Sequence, residues 1–180
     1  TAPSGDSAVL TYSGRNSLEM RIDASRASQQ SWSRYEGLKK AVNGADTVRA
    51  DLYVESAWSS MDVSTGLWGV VVDDDAEIAA YPIVAYTASA GGWRIYNVTT
   101  GAWTDTNAAV NSNSWNTIEL AINEEDNTKL DIYINDVLVN AQNVSAGLAS
   151  FSDIIINSYN YGTNDYQVRW SNIQTGVAIP

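Results

Sequence analysis

The sequence predicts an all-β protein built as a two-sheet antiparallel sandwich. Short stretches in which apolar and polar residues alternate recur along the whole chain, which is the pattern of strands with one buried and one solvated face. The 12 glycines fall mostly between these stretches, where turns belong. No periodic segment is long enough for the helices that a parallel sheet requires. We therefore expect residues 1–180 to form a single sandwich domain.

The predicted strands follow one another in chain order, separated by short turns. In the strand predicted at 17–23, Leu18, Met20 and Ile22 alternate with polar residues, and the strand predicted at 47–55 shows the same alternation. The next two are more apolar, as in central strands, and Pro82 lies near the start of its run, where a missing N–H is tolerated. We expect strands at 8–12, 17–23, 47–55, 66–72, 80–87, 93–98, 115–122, 130–139, 153–159 and 166–173.

Two stretches predict something other than a simple strand. Within residues 24–40 the sequence allows a helical turn, around 35–42. The stretch SWNTIELAINEEDNTKLDIYINDVLV predicts a hairpin whose alternating strands are joined by the acidic turn at 124–127. A second tight turn follows at Asn135-Asp136. We expect Trp115, at the start of this hairpin, to close the sheet rather than to bind a ligand.

Composition and charge exclude several classes of function. The chain carries 10 Lys and Arg against 21 Asp and Glu, a net charge of −11, so it does not attract nucleic acid or an anionic membrane surface. It has no Cys and no His, which removes disulfides, thiol nucleophiles and Ser-His catalysis. No apolar run approaches the roughly 20 residues of a membrane helix. An acidic, Cys-free, Trp-rich chain that starts TAPSGDS is typical of secreted or cell-surface bacterial proteins.

Two segments carry a resemblance to known proteins. The return strand of the hairpin ends in Tyr133-Ile134-Asn135-Asp136, and the segment DYQVRWSNI occupies residues 165–173. Together with the strand that opens at Trp115, they resemble the concanavalin A-like lectin/glucanase superfamily, which includes laminin-G-like domains. The resemblance implies a jelly roll whose concave face binds saccharide. This superfamily hosts lectins, binding modules, glycosidases and polysaccharide lyases, so the resemblance does not determine an activity.

The aromatic composition indicates sugar binding. The chain has 7 Trp and 10 Tyr but 1 Phe, and Trp and Tyr combine a flat ring that stacks on a sugar with a polar atom. Trp93, Tyr96 and Trp103 lie near glycine-containing turns, and Tyr159 and Tyr161 belong to the loop SYNYG. We expect these five to bind the ligand, with core or sheet packing as the alternative for each. The wider candidate set is Trp32, Tyr35, Tyr53, Trp68, Tyr81 and Tyr86.

Charged residues at alternating strand positions form a second candidate group. Glu19, Arg21 and Asp23 share one strand face, and Arg49 and Asp51 share another. On the concave face of a jelly roll, such residues would hydrogen-bond sugar hydroxyls or hold a uronate carboxylate. We therefore include Glu19 and Arg21 in the predicted ligand site. The alternative is a solvated face with weak ion pairs.

The acidic turns at 73–77 and 124–127 suggest a structural Ca²⁺, the one cofactor predicted. Carboxylates clustered on a loop bind this ion, although the spacing of an EF-hand is absent here. The predicted ligands are Asp73 and Asp75, with Asp6 as a weaker candidate. An acidic turn that is simply solvated is the alternative.

Three functions remain open at this point. The preferred one is a non-catalytic extracellular domain that binds a polysaccharide or other glycan through aromatic and polar residues of the concave face. The first alternative is a polysaccharide lyase or glycoside hydrolase of the same fold. Glu19-Met20-Arg21 resembles a strand of jelly-roll alginate lyases, but the chain lacks their His and also lacks the Glu pair of laminarinase-type glucanases. The second alternative is a self-assembling pilin or adhesin whose strand at 8–12 pairs with a neighbouring subunit. The sequence predicts neither the glycan nor the oligomeric state.

Overall fold

The computed structural model describes residues 7–176, apart from the Asn43 side chain, and folds them almost entirely into β-strands. Asp6, the weaker metal candidate, lies outside the described residues. Short 3₁₀ segments cover Ala24–Arg26, Ser31–Arg34, Ser56–Ser60 and Ala88–Ala90. The strands are β1 (Ser7–Tyr12), β2 (Arg15–Ile22), β3 (Tyr35–Ala45), β4 (Thr47–Val54), β5 (Ser64–Val72), β6 (Ile78–Ala80), β7 (Ile83–Thr87), β8 (Gly92–Asn97), β9 (Ala102–Asp105), β10 (Ser114–Ile122), β11 (Lys129–Ile134), β12 (Val137–Asn143), β13 (Ser150–Tyr159) and β14 (Tyr166–Thr175).

The strands form two antiparallel sheets, as predicted, and each sheet has seven strands. Sheet A has the order β1-β2-β14-β4-β10-β11-β12. Sheet B has the order β3-β13-β5-β7-β8-β9, and β6 also pairs with β5. The strand predicted at 8–12 is the edge strand β1 and pairs with β2. Its pairing with a second copy of the chain therefore stays a prediction.

The core lies between the two sheets and follows from the alternation of the strands. In β4, Val48, Ala50, Leu52 and Val54 are buried and point inward, while Arg49 and its alternating neighbours face outward. The same alternation fills the core from β10 and β11 and from the central strands of sheet B. Burying these side chains gives the sandwich its main stabilisation, since each fully buried aliphatic residue contributes about 2 kcal/mol.

The helical turn predicted around residues 35–42 was wrong. The stretch at 35–42 is not a helical turn but the first part of β3, while 3₁₀ segments occupy Ala24–Arg26 and Ser31–Arg34. β3 is an edge strand that pairs with β13 along its length. An edge strand needs only one apolar face, so Lys39 and Lys40 are exposed and obscure the period-2 pattern.

The hairpin forms as predicted, with one refinement. The run predicted at 130–139 is divided into β11 and β12 by the turn at Asn135-Asp136, where both residues have positive φ, 52° and 63°. Such a turn matches the right-handed twist of two antiparallel strands, and Asn and Asp are the non-glycine residues that tolerate it best. Across residues 7–176, the structure contains no helix that is long and apolar enough to span a membrane.

Candidate functional site

The outer face of sheet B carries a groove next to a row that contains several small residues. The strand register places Gly37, Asn157, Gly66 and Ala85 in one row that continues to Arg94 and Asp105. Bulky residues lie on both sides of this row. The row on one side contains Trp68, Ile83, Tyr96 and Trp103, and the row on the other contains Tyr35, Tyr159, Ser64 and Thr87.

A cavity in this groove has a volume of about 410 Å³. Five aromatic residues, three hydroxyl-bearing residues and one cation line it. A cavity of this size is in the range of small-molecule and saccharide sites. The lining residues are Ser31, Trp32, Tyr35, Ser64, Thr87, Arg94, Trp103, Tyr159 and Tyr161.

One end of the groove is a cluster of aromatic rings. Trp32, on the 3₁₀ segment Ser31–Arg34, is 74% exposed. Tyr35 packs edge-on against Tyr159 at 5.0 Å between ring centroids, and Tyr159 packs edge-on against Tyr161 at 4.7 Å. Edge-on packing fixes the rings in different planes. The exposed indole of Trp32 is therefore the largest free aromatic surface at this end.

The loop that carries Tyr159 and Tyr161 is held from inside the protein. Between them, Asn160 is fully buried and donates hydrogen bonds from Nδ2 to Glu36 Oε1 at 2.6 Å and to the Asp23 carbonyl at 2.8 Å. The Tyr166 hydroxyl donates to the Tyr159 carbonyl at 2.8 Å. A buried polar network of this kind is rigid when its members are satisfied, so both tyrosines are positioned before any ligand arrives.

The other end of the groove combines one aromatic ring with one ion pair. Trp103 packs edge-on against Tyr96, with 5.6 Å between centroids. The Arg94 guanidinium lies 5.7 Å from the centroid of the Trp103 ring, within cation–π distance. Arg94 Nε donates to Asp105 Oδ1 at 2.6 Å, which orients the guanidinium against the indole. This end offers a ring surface together with hydrogen-bond donors and acceptors.

Two phenols of the groove, those of Tyr35 and Tyr161, have a raised pKa. Burial raises the pKa of Tyr35 above its ordinary value of 10.0, and the neighbouring Tyr159 and Tyr161 raise it further. Burial also raises the pKa of Tyr161, although a hydrogen bond with Ser64 partly opposes the change. At neutral pH these groups are therefore hydrogen-bonding phenols and not phenolate bases.

The prediction that Trp93 binds ligand was wrong. Its side chain is 1% exposed, points into the core against Tyr86, and donates from Nε1 to the Ala109 carbonyl. In β8, Trp93 and Ile95 share the inward face while Arg94 and Tyr96 share the outward face. The alternation of apolar Ile95 with Arg94 and Tyr96 was the sequence signal that could have predicted an inward position for Trp93.

The other four aromatic residues of the predicted ligand site lie at the outer face of sheet B. Trp103, Tyr159 and Tyr161 line the groove, and Tyr96 packs beside it against Trp103. Sequence reasoning missed Arg94 and the hydroxyls of Ser64 and Thr87. Their outward position follows from the register with β13 and β8, which a single sequence does not reveal.

Glu19 and Arg21 lie on sheet A and are not part of the groove. Glu19 accepts a hydrogen bond from Arg169 Nε at 2.7 Å, and the same guanidinium binds Glu55 and Gln167. Arg21 is exposed and lines a separate cavity of about 390 Å³ at the end of that sheet. The two predicted residues therefore belong to the face opposite the aromatic groove.

The outer face of sheet A is closed by a network of charges. Asp51 is buried and binds Arg15, the Thr117 hydroxyl at 2.7 Å and Asn172 Nδ2 at 2.8 Å. Two aromatic rings of this face lie beside cations: Arg169 stacks on Tyr12 at 3.9 Å and Arg15 lies 5.4 Å from the centroid of Trp115. These groups satisfy one another, which leaves them little capacity for a ligand.

The calcium prediction at Asp73 and Asp75 stays a prediction. Asp73 Oδ1 accepts hydrogen bonds from the backbone N–H groups of Asp75 and Glu77, so this carboxylate already caps its own turn. Within residues 7–176, the structure contains no group of three or more His, Cys, Asp or Glu side chains arranged to hold a metal.

The structure is similar to several solved structures. An endo-β-1,4-glucuronan lyase from the fungus Trichoderma reesei matches with a TM-score of 0.61 and 12% identity, over 98% of this chain and 89% of the lyase. A β-glucanase of Bacillus licheniformis matches with a TM-score of 0.55 and 8% identity, over 99% and 90% of the two chains. A sialidase matches with a TM-score of 0.58 and 9% identity over 97% of this chain, which spans only 16% of the sialidase.

These matches show the fold. The neighbours share the jelly-roll β-sandwich fold that the predicted resemblance implies. No protein-family model matches the sequence, and no curated protein matches it either. At these identities a shared fold does not decide between binding and catalysis, which depend on the groups in the groove.

Proposed function

We propose that this chain binds a polysaccharide in the groove of sheet B and does not cleave it. The observation that carries the proposal is the composition of the lining, in which aromatic rings and hydroxyls surround a single cation. Ring faces stack on the apolar faces of sugars, and hydroxyl and guanidinium groups hydrogen-bond their hydroxyls. The fold supports this proposal because proteins named for their action on glycans share it.

The groove lacks the pair of carboxylates that most glycoside hydrolases require. Glycoside hydrolases use two carboxylates, which lie about 5 Å or about 6.5–9.5 Å apart. None of the nine lining residues is an Asp or a Glu. The raised pKa of Tyr35 and Tyr161 makes these two phenols poor candidates for the base of a lyase, because their base form is scarce at neutral pH.

A secreted or cell-surface location is part of the proposal. The acidic, Cys-free and Trp-rich composition supports it, and such a location would give the groove access to extracellular glycans.

The test compares groove variants on a panel of immobilised polysaccharides. We expect Trp32→Ala and Trp103→Ala each to weaken binding by about 1–2 kcal/mol, because each removes a ring that stacks on the sugar. Tyr81→Ala is the matched control, since Tyr81 is also an exposed aromatic residue but does not line the groove. Affinity electrophoresis gives the ranking, and thermal unfolding checks that each variant is folded.

Equal binding by the wild type and both tryptophan variants would place the ligand elsewhere. Binding to no member of a broad panel would contradict the proposed function. Incubation with the bound polysaccharide tests the absence of cleavage: release of reducing ends, or ultraviolet absorbance of an unsaturated product, would show an enzyme instead.

A further inference from the structure

The groove contains one cation, and its charge is already matched. Arg94 lines the groove, and its Nε group binds Asp105 at 2.6 Å. Among the described residues, the Nη1 and Nη2 groups of Arg94 have no hydrogen-bond partner, so they remain available as donors. Asp105 is 64% exposed, and its second carboxylate oxygen remains available as an acceptor. The pair therefore offers hydrogen bonds in both directions but no net charge.

The rest of the groove adds no positive charge. The other lining residues are Ser, Thr, Trp and Tyr, and the phenols of Tyr35 and Tyr161 are neutral at physiological pH. The carboxylate of Asp62 lies close enough to Tyr161 to contribute to its raised pKa. The whole chain carries a net charge of −11, which disfavours the approach of a polyanion at low ionic strength.

We propose that the groove recognises an uncharged polysaccharide, and that Asp105 sets this preference by holding Arg94 in a neutral pair. The inference rests on the proposed function. A sugar hydroxyl both accepts from the guanidinium and donates to the free oxygen of Asp105, so it uses both partners. A sugar carboxylate only accepts, must compete with Asp105 for Arg94, and meets an exposed like charge beside it. Asp105 is therefore a specificity-determining residue.

The test uses pairs of polysaccharides that differ only at C6, such as a linear mannan and the corresponding mannuronan, or a linear glucan and the corresponding glucuronan. We expect the wild type to bind the neutral member of a pair up to about fivefold more tightly, the scale of one partly exposed charge interaction. Asp105→Asn frees the guanidinium charge, and we expect affinity for the carboxylated member to rise by a similar factor in low salt. The rise should shrink as salt is added, because screening weakens exposed charges.

Asp74→Asn is the matched control. It makes the same change in net charge on an exposed turn just beyond the far end of β5, about 26 Å along the strand from Ser64. Tighter binding of the carboxylated member by the wild type would overturn the inference, and so would equal effects of Asp105→Asn and Asp74→Asn. Both results leave the proposed function intact. Binding to neither member of any pair would overturn the proposed function and this inference with it.

Discussion

The two outer faces of the sandwich use the same alternation of residues to opposite effect. On sheet A, arginines pair with carboxylates and also lie beside aromatic rings, as Arg169 does at Tyr12. On sheet B, one arginine pairs with one carboxylate at the edge of the groove, and Trp32 stays exposed. On the first face most polar groups bind one another, and on the second the groove leaves ring surface and polar groups exposed.

This difference shows that the number of charges on a strand face does not predict a binding site. Sheet A carries more ionised groups, but most of their hydrogen-bonding capacity is already used, as at Asp51. A ligand on that face would have to replace bonds that the protein already makes. Sheet B carries fewer ionised groups and more open ring surface, which is the better basis for binding an uncharged molecule.

The largest loss of stability is expected when the charge network on the outer face of sheet A loses Arg169. Arg169 is 9% exposed and binds both Glu19 and Glu55, so Arg169→Ala leaves two carboxylates without their cation. We expect the free energy of unfolding to fall by about 3 kcal/mol, at the lower end for buried pairs because both carboxylates are partly solvated. Urea denaturation measures this loss, and the affinity of the folded variant for glycan should be unchanged.

Arg94→Ala is the matched change on the outer face of sheet B. Because Arg94 is partly exposed and binds one exposed carboxylate, we expect its loss to change the free energy of unfolding by less than about 1 kcal/mol. A stability loss as large as that of Arg169→Ala would contradict this difference between the outer faces of sheets A and B.

A smaller effect is expected from filling the floor of the groove. A Cβ atom added at Gly66 would lie 2.4 Å from the Val84 carbonyl oxygen and 3.0 Å from Ala85 Cα, which are backbone atoms of β7. Neither strand can shift without disturbing the sheet, so we expect Gly66→Ala to destabilise the fold by about 2 kcal/mol. Thermal unfolding measures the effect.

Gly92→Ala is the control on the same sheet. Its added Cβ would meet only Val110 Cγ2 at 3.6 Å, an ordinary contact. We expect a change within about 0.5 kcal/mol. If Gly66→Ala were as stable as Gly92→Ala, the close approach of the β5 and β7 backbones at Gly66 would be contradicted.

The smallest effect concerns a buried acid on the closed face. Burial raises the pKa of Glu119 above its ordinary value of 4.5, and Arg49 only partly opposes this. The folded state therefore binds this proton more tightly than the unfolded state, and the contribution of Glu119 to stability falls as pH rises from about 4.5 through the raised pKa. Glu119→Gln should remove this decline, measured as urea midpoints between pH 4 and pH 7. If stability falls with pH equally in Glu119→Gln and in the wild type, the fall is caused by other groups.

The fold was predictable because its central strands show a clean period of two. The pattern in β4 and in β10 fixes one inward face each, and the Asn135-Asp136 turn has its own chemical signature. β3 was misread because its exposed lysines and its glycines hide the alternation, and pairing with β13 decides its conformation. A local sequence pattern does not predict tertiary pairing of that kind.

The groove was predictable only in part. Tyr159, Tyr161 and Trp103 were selected from residue type and turn proximity, and the structure places them in the groove. Trp93 was misplaced because turn proximity was given more weight than the alternation with Ile95. The separation of Glu19 from these aromatics depends on which sheet each strand joins, and a single sequence carries little information about that.

The internal tether of Asn160 to Glu36 and to the Asp23 carbonyl has a thermodynamic consequence. A loop that is already ordered loses little conformational freedom when a ligand binds, so more of the contact energy appears as affinity. Association would then proceed without a slow rearrangement of the protein. Most of the entropic penalty of complex formation would fall on the sugar chain.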